Sequence, residues 1–347
     1  MLREEKLKLQ PNQKTETINL GAEDDKKEIK INVHLSTEER KELIEILAEF
    51  QNVFAWSYED MPGLDLDIAV HAIPLYFEAK PVRQKLRRMK PGVLLKVKEE
   101  VQKLLDVNFI EVAMYPEWVA NIVLVMKKDG RVRVYVDYRD LNKANPKDDF
   151  PLPHIQNLLD NATKNAWFSF VDGYSGYNQI KMKEEDKLKT TFNTQWGTFC
   201  YKVMPFGLKN ARATYQHSVI SLLHDFIHTI VELYVDDMVI MSKEEVLHTE
   251  NLKKIFERLR KYQLRLNPAK CTFDVDCRKL LGFIVSHRGI EIDPAKIKSI
   301  DEMPPPKTQK EVASFLGRIN YIARFIANLT TICEPIFKLL RKDNPHT

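Results

Sequence analysis

Apolar and polar positions along the chain follow two periods, which predict helices and strands in an irregular order. A helical spacing of apolar residues predicts amphipathic helices over 92–110 and 244–264, and another after Ser36. Alternating positions predict two β-hairpins, over 118–142 and over 280–292. Because no regular strand–helix repeat appears, the pattern favours an α+β fold with an antiparallel-leaning sheet over a doubly wound parallel sheet.

Capping boxes indicate where three of the helices begin. In each, a Ser or Thr is followed three residues later by Glu: Ser36 with Glu39, Ser242 with Glu245, and Thr308 with Glu311. Residues 1 to about 35 are polar and mixed in charge, and they predict a linker.

Composition changes this picture mainly through the distribution of charge. The chain has 347 residues, 44% of them hydrophobic, and a net charge of +4, so it can bury an ordinary core. Residues 80–103, however, hold nine Lys or Arg against two Glu. This basic segment is either a solvated face or a groove for nucleic-acid phosphates.

Several classes of protein are disfavoured by what the sequence lacks. The four cysteines show no CxxC pair and no zinc-finger spacing, which predicts reduced thiols in an intracellular protein. No apolar run approaches the roughly 18 residues of a membrane span, so no membrane partner is expected. The sequence has no P-loop, dinucleotide fingerprint or HExxH motif.

Acidic residues interrupt two apolar strands. Asp236 and Asp237 lie inside the run 233–242, and Asp172 ends the run 167–172. Burying an unpaired carboxylate costs several kcal/mol or more. A turn at 235–238 would carry the first two acids at a hairpin tip, and a solvated tip is an equally good interpretation of that stretch alone.

The three acids also have a joint interpretation, although each could be a local turn residue. Two strand-end acidic sites can meet on adjacent strands, where without a cation the carboxylates repel each other and one is driven to protonate. Mg²⁺ accepts oxygen ligands and keeps positions for phosphate oxygens, as in two-metal phosphoryl transfer. With a basic channel, this predicts nucleotidyl transfer on a nucleic acid.

Five ordered motifs strengthen that hypothesis. They are VDYRDLNK (136–143), FVDGYSGYNQI (170–180), MPFGLKNA with ATYQ (204–216), YVDD (234–237) and LGFIVSHRGI (281–290). From about Pro81 to Lys342 the chain closely resembles the reverse transcriptase of long-terminal-repeat retrotransposons, nearest to the plant Ty3/Gypsy class.

The resemblance implies a right-hand polymerase fold of fingers, palm and thumb. It places a linker and pre-polymerase segment at 1–79, fingers at 80–165, a palm with an antiparallel sheet and residual fingers elements at 166–290, and a thumb at 291–347. Nothing resembling a ribonuclease H domain follows Lys342 and nothing resembling a protease precedes Gln10, so the chain is expected to be a fragment of a larger Pol polyprotein or a product of a broken element. The implied activity is RNA-directed DNA polymerase, which adds dNTPs to a primer 3′-OH by two-metal catalysis.

The motifs assign expected roles around the reaction. Asp172 and Asp236 would ligate two Mg²⁺ ions, with Mn²⁺ as an alternative, and Asp237 would be a third catalytic acid near the primer end. Lys127 and Arg133 would clamp the incoming triphosphate. Without the motif context, they would be interpreted as solvent-exposed residues of a hairpin turn.

Tyr177 matches the bulky gate beneath the sugar, and core packing is its alternative role. Phe206 and Gly207 match the loop beside the nascent base pair. The expected template and primer contacts are Arg139, Asn142, Gln216, Gly282 and Phe283, helped by Asp137 and Tyr138. For Asp137 a structural salt bridge is an equal alternative, and Gln216 is expected to support either template or loop position. Arg212 departs from the family, where Gly or Pro is usual.

The expected partners are dNTPs and an RNA or DNA template with its primer, together with other Pol domains or a second copy of the chain. The expected location is a cytoplasmic virus-like particle or the nucleus. Two alternatives remain: a non-catalytic nucleic-acid-binding relic of a degenerate element, and an RNA-dependent RNA polymerase, which the gate at Tyr177 disfavours.

Overall fold

The computed structural model of the protein describes residues 15–126, 132–151, 153–275, 277–280, 282–286 and 289–340. These residues form two compact units, one over 15–275 and the other over 277–340. Each unit combines helices with antiparallel strands, so the predicted α+β class is confirmed. The finer division into fingers, palm and thumb stays a prediction.

The larger unit is built on two main sheets. Its strands are β1 (Thr15–Asn19), β2 (Glu28–Asn32), β3 (Val70–His71), β4 (Ile110–Val112), β5 (Ala120–Met126), β6 (Val132–Val136), β7 (Trp167–Asp172), β8 (Lys181–Met182), β9 (Phe192–Thr194), β10 (Gly197–Tyr201), β11 (Val231–Tyr234), β12 (Asp237–Ser242) and β13 (Thr272–Val275). Its helices are α1 (Thr37–Glu49), α2 (Pro91–Asp106), α3 (Arg139–Ala144), α4 (Ile155–Ala162), α5 (Ala211–Leu223) and α6 (Glu245–Lys261). A short 3₁₀ helix spans Gly176–Gln179.

The six-stranded sheet carries the catalytic-type motifs. Its order is β1-β2-β13-β7-β12-β11, antiparallel throughout except between β2 and β13. The five-stranded sheet has the order β4-β10-β9-β5-β6. Rings of Phe50, Phe256 and Phe273 pack between α1, α6 and β13, with centroids 5.6 Å apart for Phe50–Phe256 and 6.0 Å for Phe256–Phe273. This core fixes the sheet that positions the acids.

The linker predicted before Ser36 is wrong for the residues described from Thr15 onward. Strands β1 and β2 pair with each other, and Ile31 of β2 lies opposite Phe273 of β13 in the six-stranded sheet. The side chains of Ile29 and Ile31 are buried, whereas Glu28 and Lys30 are exposed. A two-residue alternation was therefore present, but the many charges of this segment obscured it.

Two of the three predicted capping boxes are confirmed, those of Ser36 with Glu39 and of Thr308 with Glu311. The third is wrong, because Ser242 is the buried last residue of β12 and does not cap α6. Its hydroxyl accepts a hydrogen bond from Asn251 Nδ2 at 2.7 Å. A serine whose hydroxyl is hydrogen-bonded to a buried side-chain amide cannot be told from a helix N-cap serine by sequence alone.

The smaller unit joins a three-stranded antiparallel sheet to three helices. The elements are β14 (Cys277–Leu280), β15 (Phe283–Ser286), β16 (Gly289–Ile292), α7 (Pro294–Asp301), α8 (Gln309–Tyr321) and α9 (Leu329–Leu339). The predicted hairpin over 280–292 is confirmed by the pairing of β15 with β16. Phe283 stacks on Tyr321 with ring centroids 5.0 Å apart.

Across the described ranges, no helix is both long and apolar enough to cross a membrane. Cys200, Cys271 and Cys333 are buried.

Asp274 is expected to make stability depend on pH. Its side chain is 5% exposed, and among the described residues its Oδ1 has no hydrogen-bond partner. Burial raises the pKa of Asp274 to about 7, and the charges of Glu39 and Glu42 add to this. A folded-state pKa above the unfolded value means that the favourable contribution is complete below about pH 4 and is lost as pH rises through 7.

We therefore expect Asp274→Asn to be more stable than the wild type at pH 8 by about 1 to 4 kcal/mol, since one pKa unit corresponds to about 1.4 kcal/mol. Asn also tolerates the left-handed backbone at this position, where φ is 59°. Urea unfolding at pH 5 and pH 8 measures the effect, with exposed Asp24→Asn as the control. An equal loss of stability at both pH values would contradict the prediction.

Candidate active site

The predicted meeting of the acidic segments on adjacent strands is confirmed. β7 and β12 are antiparallel neighbours, and Asp172 at the end of β7 lies opposite Asp237 at the start of β12. Because the end of one antiparallel strand meets the start of the next, both acids lie at the same end of these two interior strands. Asp236 adjoins them in the turn that precedes β12.

The hairpin turn predicted at 235–238 is present but lies one residue earlier, so Asp236 is in the loop and Asp237 is the first residue of β12. Tyr234 pairs with Asp237, so Val235 and Asp236 form a two-residue hairpin loop. Val235 has φ of 55°, a conformation that costs a β-branched residue about 1 to 3 kcal/mol. The backbone N–H of Val235 donates to Oε1 of Gln216, which holds the turn in place.

This contact corrects the expected role of Gln216. The side chain is 0% exposed and lies beneath the catalytic-type hairpin, so it cannot touch a template. The sequence left open whether Gln216 supports the position of the template or that of the loop, and the structure shows that it supports the loop.

Burial raises the pKa values of Asp172 and Asp236, and repulsion from neighbouring carboxylates adds to the rise for Asp236. Burial raises the pKa of Asp236 to about 6; the charges of Asp172 and Asp237 add to this rise, and those of Lys270 and Arg212 oppose it. Burial also raises the pKa of Asp172, whereas Lys270 lowers it through two hydrogen bonds of 2.9 Å to the carboxylate oxygens. A cation bound between these acids is therefore electrostatically favourable.

The donor set fits a hard divalent cation. The three acids offer only carboxylate oxygens, which Mg²⁺ prefers, and Mg²⁺ commonly uses one or two carboxylates plus substrate phosphates. Within the described ranges, no three His, Cys, Asp or Glu side chains form a ready-made metal cluster.

Tyr177 lies beside the acids, on the short helix that follows β7. Its ring packs against Phe206 at 5.0 Å and Tyr215 at 5.5 Å between centroids. Burial raises the pKa of Tyr177 to about 12, with a further contribution from the charge of Asp236. The Tyr177 side chain is therefore uncharged and lies beside the acidic site. Its packing against Phe206 and Tyr215 is compatible with the predicted role as a steric gate.

The loop of Phe206 and Gly207 is fixed by Asn142. The side-chain amide of Asn142 donates to the Gly207 carbonyl at 2.8 Å, and its oxygen accepts from the Lys209 N–H at 2.7 Å. Gly207 has φ of 99°, which favours glycine, and Phe206 is 40% exposed. Asn142 therefore positions the loop, and its template contact stays a prediction.

Asp137 makes the structural salt bridge that the sequence left open. Nε and one terminal nitrogen of Arg139 each donate to this buried carboxylate at 2.7 Å. The Arg139 side chain is nevertheless 76% exposed, and its template contact stays a prediction.

Four more of the predicted site residues are either described incompletely or belong to the smaller unit. Lys127 lies outside the described residues, as does the side chain of Arg133, whose backbone belongs to β6. Gly282 has φ of 87°, and a Cβ there would lie 1.8 Å from the Tyr321 hydroxyl. Phe283 is 3% exposed, so only the backbone of this pair is available to a primer.

Two features of the site escaped the sequence interpretation. A Cβ at Gly173 would lie 2.5 Å from the Tyr215 hydroxyl, and one at Gly176 would lie 2.7 Å from Tyr215 Cζ. These glycines therefore let the buried Tyr215 pack directly under the end of β7. Lys270 was also missed, because no local pattern distinguishes it from any other lysine after a turn.

Sequence comparison agrees with this geometry. Residues 125–285 match the family described as Reverse transcriptase (RNA-dependent DNA polymerase). The chain is 31% identical over 320 residues to the Pol polyprotein from transposon 297 of Drosophila melanogaster, covering 89% of this chain and 29% of the relative. For the gypsy Pol polyprotein of the same organism the identity is 31%, over 88% of this chain and 30% of the relative. The Tf2-3 polyprotein of Schizosaccharomyces pombe is 29% identical, over 87% and 23%. The chain thus spans less than a third of the length of these curated relatives.

Solved structures show the same fold. The foamy viral protease–reverse transcriptase in complex with dsDNA matches with a TM-score of 0.78 and 22% identity, over 88% of this chain and 63% of that one. The foamy viral protein in complex with an RNA/DNA hybrid matches with a TM-score of 0.76 and 21% identity, over 88% and 41%. The right-hand polymerase fold is therefore confirmed, while the plant assignment stays a prediction. The chain carries a reverse transcriptase domain of the Ty3/Gypsy retrotransposon type.

Proposed function

We propose that the chain is an RNA-directed DNA polymerase that adds dNTPs to a primer 3′-OH on an RNA or DNA template during retrotransposon replication. The observation that carries this proposal is the pairing of Asp172 with Asp237 across β7 and β12, with Asp236 in the adjoining turn. The acids lie inside the segment that matches the reverse transcriptase family.

Asp172 and Asp236 would hold two Mg²⁺ ions, with Mn²⁺ as an alternative. Their oxygen-only donors and their raised pKa values support this assignment. When bound, the ions would stabilise the charge on the attacking and leaving oxygens. Asp237 is exposed beside the pair, and we place it nearer the primer end.

The nucleotide pocket in this proposal is formed by Tyr177, Phe206 and Gly207. Tyr177 would wall off the sugar, and the fixed loop of Phe206 and Gly207 would lie against the new base pair. Lys127 and Arg133 would bind the triphosphate, because Arg offers a bidentate fork and Lys a mobile charge.

The proposed partners are dNTPs, a primed template, and other Pol domains or a second copy of the chain. Solved neighbours of the same fold were determined with an RNA/DNA hybrid and with dsDNA, which supports binding of a primed template. The basic segment 80–103 offers phosphate contacts. The buried thiols of Cys200 and Cys333 support an intracellular location, in a virus-like particle or the nucleus.

Primer extension on an RNA template, with Mg²⁺ and either dNTPs or rNTPs, tests the proposed function. We expect extension with dNTPs, none with EDTA, and little with rNTPs. Binding without extension would favour the non-catalytic relic. Preferential extension with rNTPs would instead favour an RNA polymerase.

Arg212 is expected to limit processivity. It is exposed in the first turn of α5, and its guanidinium carbon lies 5.7 Å from the ring centroid of Tyr234. A long cation at a helix N-terminus is disfavoured by the helix dipole, and in the proposed complex the bulk of Arg212 would face a template strand that must translocate. We expect Arg212→Gly to give longer products on RNA, with template affinity changed by less than about threefold, or 0.7 kcal/mol.

Product lengths under single-encounter conditions measure this effect. The Arg212→Lys variant keeps the positive charge but changes the shape of the side chain, so it distinguishes an effect of charge from an effect of shape. Equal or shorter products from the Gly variant, at both low and high salt, would instead identify Arg212 as a working template contact.

A further inference from the structure

The side chain of Lys270 occupies both oxygens of an acid that the proposed mechanism assigns to metal binding. Its Nζ donates to Oδ1 and to Oδ2 of Asp172, at 2.9 Å each. An ammonium centred on both oxygens leaves neither free for a divalent ion approaching from the same side. The contact therefore concerns the metal-binding carboxylate itself.

The backbone around Lys270 holds it at this position. The N–H of Asn267 donates to the carbonyl of Asp172 at 2.8 Å, and the N–H of Lys270 donates to the carbonyl of Asn267 at 3.1 Å. Cys271, the next residue, is fully buried. The turn is thus fastened to the end of β7, and Lys270 is directed at Asp172 by the fold.

The Lys270 side chain is mostly open to solvent. Its exposed fraction is 60%, whereas that of Asp172 is 16%. An ion pair with a mostly exposed lysine is weak in water, and the flexible side chain can turn into solvent without breaking the core. Lys270 also acts on Asp236, since its charge lowers the pKa of that acid. One mobile cation therefore faces both proposed metal ligands.

The geometry points to Lys270 as a built-in counter-ion that neutralises Asp172 in the metal-free enzyme and must be displaced before Asp172 binds a divalent ion. This inference rests on the proposed metal role of Asp172. Lys270 thereby has a positioning role. Its charge sets how tightly the site binds a divalent ion, and it reduces the repulsion between the acids before the ion binds.

Mn²⁺ binding followed by electron paramagnetic resonance, without nucleic acid or dNTP, tests the inference. We expect Lys270→Gln to tighten Mn²⁺ binding about three- to fivefold, the scale of an ion pair with a mostly exposed cation. Lys270→Arg keeps the pair and should bind Mn²⁺ like the wild type. Arg212→Gln removes another cation near Asp236 without freeing Asp172, and should have a smaller effect. Unchanged or weaker binding by Lys270→Gln, or an equal effect of Arg212→Gln, would overturn the inference.

A second measurement needs no variant of Lys270. The acetylation rate of the Lys270 amine, read by peptide mass spectrometry, should rise when Mg²⁺ is added to the wild type, because displacement frees the amine. In Asp172→Asn it should be high with or without Mg²⁺. A wild-type rate that Mg²⁺ leaves unchanged would overturn the inference.

The same variant separates this inference from the proposed function. If Asp172→Asn binds Mn²⁺ as tightly as the wild type, the metal assignment itself is wrong, and this inference fails with it. If Asp172→Asn weakens binding but Lys270→Gln has no effect, only the role of Lys270 is wrong.

Discussion

Replacing Asp236 with Asn is expected to lower primer extension on an RNA template by about 100-fold or more, since a metal ligand is lost. The amide has nearly the same shape as the carboxylate but cannot carry its negative charge. Asp236 lies in a two-residue loop whose conformation is held by Gln216 and by strand pairing on both sides. The substitution should therefore remove charge without disturbing the hairpin.

Asp172→Asn should give the same loss for the same reason. In both variants template affinity should remain close to that of the wild type, because binding of a nucleic acid depends on Lys and Arg contacts to phosphates. Single-turnover extension and a separate template-binding titration measure the two quantities, with exposed Asp24→Asn as the control. Extension above a few per cent of the wild-type rate in either variant would contradict the metal assignment.

Tyr177→Ala is expected to raise the incorporation of rNTPs relative to dNTPs by about tenfold or more, because the barrier to the ribose 2′-OH is steric. The ring is fixed by Phe206 and Tyr215, so it cannot swing away from a bulkier sugar. The pKa of Tyr177, raised to about 12, keeps its hydroxyl protonated at neutral pH. No charge is therefore involved in the discrimination.

Tyr177→Phe is the matched control, since it keeps the ring and removes only the hydroxyl. The ratio of kcat/KM for rNTP and dNTP should be close to that of the wild type in the Phe variant and altered in the Ala variant. Equal changes in both would assign the discrimination to a hydrogen bond. An unchanged ratio in Tyr177→Ala would show that Tyr177 serves packing alone.

The acids were predictable from the sequence because each carboxylate lies in an apolar segment, where burying its charge costs free energy. Asp172 and Asp236 interrupt apolar strands, and the pairing of those strands then brings the acids together. The turn at Val235 was predictable for a related reason, since two adjacent acids cannot share one face of a regular strand.

What the sequence did not predict depends on contacts between distant segments. Lys270 reaches Asp172 only because the turn at Asn267 is hydrogen-bonded to the end of β7. Gln216 resembles an exposed polar residue of a helix, and only the packing of α5 beneath the hairpin buries it. Ser242 resembled a helix cap for the same reason, since nothing local shows that its hydroxyl is buried against Asn251.

Anomalous diffraction tests the central claim most directly. Crystals of the chain with a dideoxy-terminated primer on an RNA template, a matching dNTP and Mn²⁺ would show where the ions bind. We expect two Mn²⁺ peaks, both contacted by Asp172 and Asp236, with Lys270 turned away from Asp172. A bound primer and dNTP with no Mn²⁺ peak at these two acids would contradict it.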